Sequence, residues 1–489
     1  MSKFNTEATI KTTNRSGHAA YSMQDKDKLI TQVLTSFFNE KKFYGDNSDD
    51  IIETLKRVIV NDPEFVSKLA VFARREFNMR TISHVMIGYL ANIPEGKPYV
   101  KATVKGVVLR GDDATEIMSF YLNNFGKPIP NSLRKGLKEA LLRFDAYTLA
   151  KYKGEGKTVK MRDLLCLCRP NPKDEEQSKN FKKLLEGTLE TPYTWETELS
   201  AKGNTKEVWE ELIASGKVGY MALLRNLRNI ITAGPSNLDA CLKKIADPEA
   251  VAKSKQLPFR FLSAYQACKN IGASTKVYDA IEDAAEASIG NIDRIPGKTV
   301  IAIDVSGSMV YGSISGNSDI RCKDIAMLFG VIANKLCEDA IVVKFDTSLE
   351  TVSWSHRGGI ISTAIGEMAN GGGTNMSLPF EYMIKNHIDC DRIIILSDNE
   401  CNSDSWGWNW RTRRENDGKV VQVLADKYRS ITGKDIWVHA IDLQGYGTQQ
   451  FAGKKVNIIS GWSEKVFEFI HLVEQGEGTL KKAISEYTW

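Results

Sequence analysis

The hydrophobic period changes near residue 296 of this chain of 489 residues. Before that point apolar residues recur at helical spacing, as Phe65, Leu69 and Phe72 do. After it, four short runs that are apolar through their centres alternate with stretches of helical period. Fully apolar strands separated by helices are typical of a parallel sheet covered on both faces. The chain is therefore predicted to hold two domains, residues 1–295 and 296–489.

The first domain is predicted to be helical throughout. Two helix starts are explicit, because Asp62 precedes Pro63 and Asp247 precedes Pro248. Aspartate at the N-cap and proline at the first helical position both favour the start of a helix. Convincing alternating strands are absent from this part. Many short helices over so long a span favour stacked helical pairs, an α-solenoid, over one compact bundle.

The second domain is predicted to be a doubly wound α/β sheet. Strands are expected in "KTVIAIDVS", "AIVVKFD", "DRIIILSDNE" and "IWVHAIDLQ", and helices in "CKDIAMLFGVIANKL" and "SLPFEYMIKNH". Ligands of such sheets lie at the carboxyl ends of the strands. Polar side chains at those ends are therefore the candidate functional residues.

Five oxygen-bearing side chains stand at these strand ends or on a glycine-rich loop: Asp304, Ser306, Ser308, Thr374 and Asp398. Two carboxylates and three hydroxyls are hard donors, which suit Mg²⁺, or Mn²⁺, in octahedral coordination completed by water. A nucleophilic serine is disfavoured, because neither a G-x-S-x-G elbow nor a histidine in a triad context accompanies it. A phosphate loop is disfavoured because G-x-x-x-x-G-K-[ST] is absent. A purely structural cap of the following helix stays open.

Positive charge is concentrated in the first part of the chain. Residues 1–300 hold 46 Lys and Arg against 37 Asp and Glu, and the remaining residues hold 19 against 24. The division favours a polyanionic partner for the first part, although two domains of different surface charge would also produce it. Clustered basic side chains bind phosphates and release counterions. The predicted RNA contacts are Arg134, Lys138, Lys151, Lys153, Lys157, Lys160, Arg162, Arg169, Arg225 and Arg228.

The cysteines and the hydropathy pattern indicate the cellular compartment in which the protein is expected. Eight cysteines include no C-x-x-C pair, and with six scattered histidines they form no zinc pattern, so reduced thiols are expected. No apolar stretch approaches the roughly 20 residues that span a bilayer, and the first residues lack an apolar signal core. A cytoplasmic protein without a membrane partner is expected.

Several motifs carry a resemblance to a known family. The pattern D-x-S-x-S, then Thr and Asp, resembles the metal-ion-dependent adhesion site of von Willebrand factor A domains. "KYKGEGKTVKMRDLLCLCRPNP", "KEVWEELIASGKVGYMALLRNL" and "QLPFRFLSAYQACK" resemble the TROVE module of Ro autoantigen proteins. "GGTNMSLP" and "SDNE" resemble the Ro versions of their loops. The chain is identified as a member of this family, of bacterial or phage type.

The resemblance implies a monomeric ring of HEAT-like helical repeats closed by the A domain. It implies binding of Y-like small RNA and of the single-stranded ends of structured or misfolded noncoding RNA, for quality control, maturation or decay. An exoribonuclease such as polynucleotide phosphorylase is an implied partner, and an acidic protein ligand is implied at the metal site. The expected protein is a ribonucleoprotein scaffold and not an enzyme.

Two positions depart from the family pattern. Arg169 stands where the family has a histidine associated with Y RNA contact, and Asn375 stands where animal relatives tend to carry aspartate. Arginine can still bind phosphate or stack on a base. One feature lies outside the resemblance: Trp406, Trp408 and Trp410 precede several arginines. They could stack RNA bases or grip a partner, or pack on a neighbouring helix.

Two other functions stay open at this point. An A-domain adaptor whose helical half contacts proteins would keep the metal site and need no RNA. A metal-dependent nuclease is disfavoured, because ligation rich in hydroxyls offers no evident general base.

Overall fold

The computed structural model describes residues 10–13, 19–22, 24–35, 46–311, 320–367, 369, 371–398, 419–443, 455–460, 465–475 and 478–489. The chain divides into two compact units. Unit 1 comprises Met1–Lys41 and Thr194–Gly478, and unit 2 comprises Lys42–Tyr193 and Thr479–Trp489. The change from helices to strands that the sequence predicts falls inside unit 1. The division into domains at residues 295 and 296 stays a prediction.

The part of the chain before the large sheet holds two strands and seventeen α-helices among its described residues. They are β1 Ile10–Thr13, β2 Ala19–Ser22, α1 Asp25–Thr35, α2 Asp46–Asn61, α3 Pro63–Arg75, α4 Arg80–Asn92, α5 Val100–Val107, α6 Gly111–Phe125, α7 Asn131–Leu141, α8 Ala146–Lys151, α9 Met161–Cys168, α10 Glu175–Glu186, α11 Trp195–Lys202, α12 Lys206–Ala214, α13 Tyr220–Ala233, α14 Leu238–Ala246, α15 Pro248–Ser254, α16 Pro258–Lys269 and α17 Thr275–Ser288.

Strands and helices then alternate. The described elements are β3 Ile295–Asp304, α18 Gly307–Tyr311, α19 Cys322–Leu336, β4 Cys337–Phe345, β5 Leu349–Val352, α20 Ile360–Gly366, α21 Leu378–Lys385, β6 Arg392–Ser397, α22 Lys419–Thr432, β7 Trp437–Asp442, β8 Val456–Ser460, α23 Val466–Glu474 and α24 Thr479–Glu486.

Both predicted helix starts are confirmed. The Asp62 carboxylate accepts a hydrogen bond from the backbone N–H of Phe65 at 3.1 Å, and Pro63 opens α3. The Asp247 carboxylate accepts from the N–H of Glu249 at 3.0 Å, and Pro248 opens α15. Each carboxylate satisfies a backbone donor that has no partner within its helix.

The expectation of no strands in the first part is wrong. β1 and β2 pair as an antiparallel hairpin, in which Ile10 faces Ser22 and Thr13 faces Ala19. The strands have four residues each, IKTT and AAYS, and are too short and too poor in large apolar residues to show a clear alternation, so periodicity could not find them.

The predicted parallel sheet is confirmed and extended. Its six strands lie in the order β5-β4-β3-β6-β7-β8, and all neighbours are parallel except the edge pair of β4 and β5. The central strands are buried on both faces, which explains why β3 and β6 read as continuous apolar runs. The parallel direction brings the carboxyl ends of β3, β4, β6 and β7 to one edge.

The last helices before the sheet are joined to the helices that cover it, within unit 1. The Glu282 carboxylate on α17 accepts from the N–H groups of Ile361 (2.8 Å) and Ser362 (3.0 Å) in the first turn of α20. Lys335 on α19 pairs with Glu286 on α17 at 2.7 Å. These contacts explain why unit 1 continues across the change of period. No helix in the described ranges is long and apolar enough to cross a membrane.

Candidate metal centre and nucleic-acid surface

The predicted metal residues begin with Asp304, the last residue of β3. Its strand lies between β4 and β6, where Phe345 is its register partner on β4 and Leu396 is paired with Ile303. This register sets the end of β6 beside the Asp304 carboxylate, which is fully buried. Asp398, which follows β6, is buried as well.

Hydrogen bonds hold the Asp304 carboxylate in one orientation. The Ser397 hydroxyl donates to Oδ2 at 2.5 Å, and the backbone N–H of Ser306 donates to Oδ1 at 2.8 Å. The hydroxyl oxygens of Ser306 and Ser308 lie 3.3 Å apart. The turn after β3 thus gathers the first three predicted ligands on one side.

The glycine-rich loop brings Thr374 to the same place. The N–H of Gly371 donates to the carbonyl of Val305 at 3.1 Å, and the N–H of Gly307 donates to the carbonyl of Gly372 at 2.8 Å. A β-carbon on Gly307 would lie 3.1 Å from the Gly371 carbonyl oxygen, so glycine permits this close approach. Thr374 is fully buried on this loop.

The electrostatics of the site are those of neighbouring carboxylates. Burial, followed by the charge of Asp398, raises the pKa of Asp304 to about 7. Ser306 is buried, whereas Ser308 is exposed, so the site is open on the Ser308 side. Oxygen donors from two carboxylates and three hydroxyls fit a small divalent cation. The exposed side leaves room for water or for an oxygen of a partner.

Sequence reasoning missed two residues beside this site, Ser397 and Asp346. Ser397 holds Asp304, and its position next to Asp398 at a strand end was the signal that could have found it. Asp346 follows β4, and its carbonyl accepts the N–H of Asn375 at 2.9 Å. A β-carbon on Gly372 would lie 3.0 Å from Asp346 Oδ2, so Asp346 packs against the loop. "KFDTS" ends a predicted strand in a carboxylate, which was the signal for Asp346.

Asn375, which departs from the family pattern, has a structural role here. Its amide oxygen accepts from the N–H (3.1 Å) and the hydroxyl (2.6 Å) of Ser377, just before α21 begins. An aspartate could accept the same two bonds, so the local helix start does not require asparagine.

Eight of the ten predicted RNA contacts lie in unit 2, on α7, α8, α9 and the segments beside them. They are Arg134, Lys138, Lys151, Lys153, Lys157, Lys160, Arg162 and Arg169. Arg225 and Arg228 belong to unit 1, on the exposed side of α13. Trp406, Trp408 and Trp410 lie outside the described residues.

The basic side chains of unit 2 differ in what they contact. Lys157 pairs with Glu116 at 3.2 Å, and Lys153 donates to the Leu189 carbonyl (3.3 Å) and the Thr191 hydroxyl (3.4 Å). Arg162 lies 3.7 Å from Asp163, and both side chains are more than two-fifths exposed. Arg169 ends α9 in the left-handed conformation, with φ of 46°, and is exposed. Arg169 is therefore exposed to solvent, whereas Lys153 holds the segment that contains Leu189 and Thr191 through hydrogen bonds.

Helical repeats together with a parallel sheet that carries D-x-S-x-S, threonine and aspartate at its carboxyl edge define a von Willebrand A-type domain joined to a helical-repeat module. The TROVE domain matches residues 20–188 and 186–340, which is more than half of the chain, and the Ro60 vWA domain matches residues 298–407. The chain therefore belongs to the TROVE family.

Relatives and solved structures agree with this assignment. The chain is 26% identical to telomerase protein component 1 of Rattus norvegicus over 334 residues, 51% of this chain and 13% of that protein. It is 26% identical to RNA-binding protein RO60 of Deinococcus radiodurans over 198 residues, 37% of each chain. The chain thus spans well under half the length of these relatives.

A crystal structure of the Deinococcus radiodurans RO (RSR) protein has the same fold. Its TM-score is 0.67 at 16% identity, over 94% of this chain and 99% of that one. The predicted combination of a helical solenoid with a von Willebrand A domain is confirmed. Closure of the helices into a ring stays a prediction.

Proposed function

We propose that this protein is an RNA-binding scaffold of a Ro-type ribonucleoprotein. It would bind Y-like small RNA and the single-stranded ends of structured or misfolded noncoding RNA in the cytoplasm, for quality control, maturation or decay. An exoribonuclease such as polynucleotide phosphorylase is the proposed processing partner. The protein itself performs no catalysis in this proposal.

The basic surface around α9 carries the proposal. Lys160, Arg162 and Arg169 lie within one short helix and its two ends, and Arg169 is exposed at the helix terminus. The exposed guanidinium groups of Arg162 and Arg169, with the half-buried Lys160 beside them, can contact successive phosphates, which gives affinity that depends on salt and little on sequence. Membership of the TROVE family, which includes an RNA-binding relative, supports RNA as the polyanion.

The test is binding of nuclease-treated protein to a hairpin RNA with a single-stranded 3′ tail, measured from low to high salt. We expect affinity that falls steeply with salt. Lys160→Glu, Arg162→Glu and Arg169→Glu together should weaken binding at least about tenfold. The matched control is Lys243→Glu, Lys253→Glu and Lys276→Glu on exposed positions of unit 1, which should leave affinity near that of the parent. Absence of salt-dependent binding would contradict the proposal and favour the protein-binding adaptor.

A divalent cation is the second part of the proposal. Asp304, Ser306, Ser308, Thr374 and Asp398 would hold Mg²⁺, or Mn²⁺, directly or through water. The cation would supply an electrophilic position for an acidic group of a partner protein on the exposed Ser308 side. The hydrogen bonds from Ser397 and the Ser306 N–H would keep the Asp304 carboxylate turned toward that position.

Two measurements test the proposed metal site: isothermal titration calorimetry with Mg²⁺, and electron paramagnetic resonance of bound Mn²⁺. We expect Asp304→Asn to abolish measurable cation binding and to leave the affinity for the tailed hairpin unchanged. Asp346→Asn is the matched control, because its carboxylate lies beside the loop without belonging to the proposed ligands. Equal cation binding by Asp304→Asn and the parent would refute the assignment. RNA hydrolysis that requires Mg²⁺ and is lost in Asp304→Asn would favour the nuclease.

A further inference from the structure

Unit 2 carries a surface cluster of alternating aromatic and basic side chains, in which Arg110, Tyr147 and Lys151 are exposed and Tyr152 is half-buried. The Lys151 ammonium lies 5.7 Å from the centroid of the Tyr147 ring and 5.7 Å from that of Tyr152. The Arg110 guanidinium lies 5.6 Å from the centroid of Tyr152. Cations within about 6 Å of an aromatic ring are attracted to its face. The four side chains thus form one connected array.

Packing fixes the base of this array. A β-carbon on Gly111 would lie 2.7 Å from Tyr152 Cδ2 and 2.8 Å from Thr148 Cγ2, so α8 and the Tyr152 ring rest directly on the start of α6. The Asp145 carboxylate accepts the N–H of Thr148 at 2.8 Å, which caps the first turn of α8. The array therefore stands on two helix ends that contact each other.

The Arg110 guanidinium is also held in place by an ion pair with Asp112. It donates to both oxygens of Asp112, at 3.1 and 3.2 Å. A bidentate arrangement of this kind fixes the plane of the guanidinium as well as its position. The ion pair with Asp112 therefore restricts the Arg110 side chain to a rotamer that lies beside the Tyr152 ring.

Tyr147 is not explained by packing. Its side chain is 52% exposed, although it extends from a helix whose Leu149 and Ala150 are buried. Lys151 is exposed as well, and the loop after Tyr152 leads to Lys157 and Lys160 of the basic surface. Aromatic faces next to phosphate-binding cations are the arrangement that binds single-stranded nucleic acid, because bases stack while the backbone is neutralised.

We propose that Tyr147 and Tyr152, with Lys151 and Arg110 beside them, form a stacking platform for unpaired RNA bases. The inference rests on the proposed RNA binding and assigns its selectivity for single-stranded RNA to named residues. Phosphate contacts alone bind paired and unpaired strands alike, whereas a ring face is accessible only to a base that is not paired within a helix. The platform would therefore select RNA that carries an unpaired segment.

The test compares Tyr147→Leu with Tyr147→Phe on two RNAs that share one stem, a blunt hairpin and a hairpin with a single-stranded tail. Leucine removes the aromatic face, and phenylalanine keeps it. We expect Tyr147→Leu to lose at least about fivefold in affinity for the tailed RNA, the lower range for one stacked base, and nothing for the blunt RNA. Tyr147→Phe should bind both RNAs as the parent does. The dependence of affinity on salt should be the same in all three proteins, because no charge is removed.

Two further variants separate stacking from charge and from folding. Lys151→Gln should lower affinity for both RNAs and reduce the salt dependence by about one phosphate contact. Tyr311→Leu, at a 79% exposed tyrosine of unit 1, is the matched control and should change neither RNA. Unchanged binding of the tailed RNA by Tyr147→Leu would overturn the platform while leaving the proposed RNA function intact. Equal losses on both RNAs would overturn it too. If the parent binds neither RNA, the proposed function and the platform fail together.

Discussion

Asp113 in unit 2 and Asp304 in unit 1 are both completely buried carboxyl groups, and the chain treats them in opposite ways. Asp113 is contacted by Arg74 (3.3 Å), Arg80 (2.5 Å) and His84 (3.2 Å). The contacts of Asp304 among the described residues are hydroxyls, a backbone N–H and the charge of Asp398. One carboxylate is neutralised by its own chain, and the other is placed next to a second carboxylate.

The pKa values follow this difference. Burial alone would raise both, but the imidazole of His84 and the guanidinium of Arg80 hold the pKa of Asp113 well below its usual range. Burial and Asp398 act in the same direction on Asp304 and raise its pKa. A buried acid with its own basic partners contributes to the stability of the fold, whereas a buried pair of acids among hydroxyls is the arrangement expected of the proposed cation site.

The strongest test of this comparison is the pair Asp113→Asn and Asp304→Asn, both in the presence of a chelator. Asp113→Asn leaves Arg74 and Arg80 facing a neutral amide and should cost about 3–5 kcal/mol, the range for breaking a buried ion pair. Asp304→Asn removes one of two like charges and should change stability by less than about 1 kcal/mol. Hydrogen exchange of the slowest amides in α6 and β3 reports the two effects separately. Equal losses in the two variants would contradict the distinction.

The two sites also differ in how far the sequence predicted them. Asp304, Ser306 and Ser308 lie close together in the sequence at a strand end, and a parallel sheet brings the end of β6 to the same edge, so strand pattern and topology locate the proposed metal residues. The Asp113 cluster joins α3, α4 and α6 through long side chains. No period in the sequence records which arginine reaches which carboxylate.

Exposed charges are the least predictable from the sequence. Lys153 and Lys157 belong to the same basic run as Arg169, yet both of these lysines have partners in the folded chain. The tyrosines beside Lys151 are not predicted from the sequence, because an isolated tyrosine carries no signal of its exposure. Helices and strands are predicted correctly where an apolar period extends over many residues. The hairpin of β1 and β2 is not predicted, because its strands are too short to show such a period.

Glu474 shows whether the pKa of a buried acid depends on its basic partners or on the unit in which it lies. It lies in unit 1 with Asp304, yet it accepts hydrogen bonds from Arg392 (2.7 and 3.0 Å) and lies 2.8 Å from His439 Nε2, as Asp113 lies beside its own basic partners. Burial acts to raise the pKa of Glu474, but His439 and Arg392 lower it to about 2. If the basic partners determine the role of a buried acid, Glu474 should contribute to the stability of the fold as Asp113 does.

The expected pH dependence follows from the lowered pKa. The contribution of Glu474 is complete above its unfolded pKa of about 4.3 and is lost as the pH falls toward 2. It amounts to about 3 kcal/mol at most. Exchange of the slowest amides in β6 and β7, followed from pH 6 to pH 3, should show this loss in the parent. Glu474→Gln should begin less stable and change less over that interval, and an identical pH dependence in both proteins would contradict the assignment.

The smallest effect is expected on the proposed RNA surface, where Arg169→Gln and Lys153→Gln compare a basic side chain without an ion pair in the described part of the chain with one that has partners in the fold. The structure gives the Arg169 side chain no ion pair within the described residues, whereas Lys153 donates to Leu189 and Thr191. Arg169→Gln should lower affinity for the tailed hairpin about two- to fivefold and reduce the slope of log affinity against log salt by about 0.7–0.9. Lys153→Gln should leave that slope unchanged and instead speed hydrogen exchange near residues 189–191. The reverse result would show that a lysine with partners in its own chain can still exchange them for phosphate, and that contacts within the fold do not decide which basic side chains bind RNA.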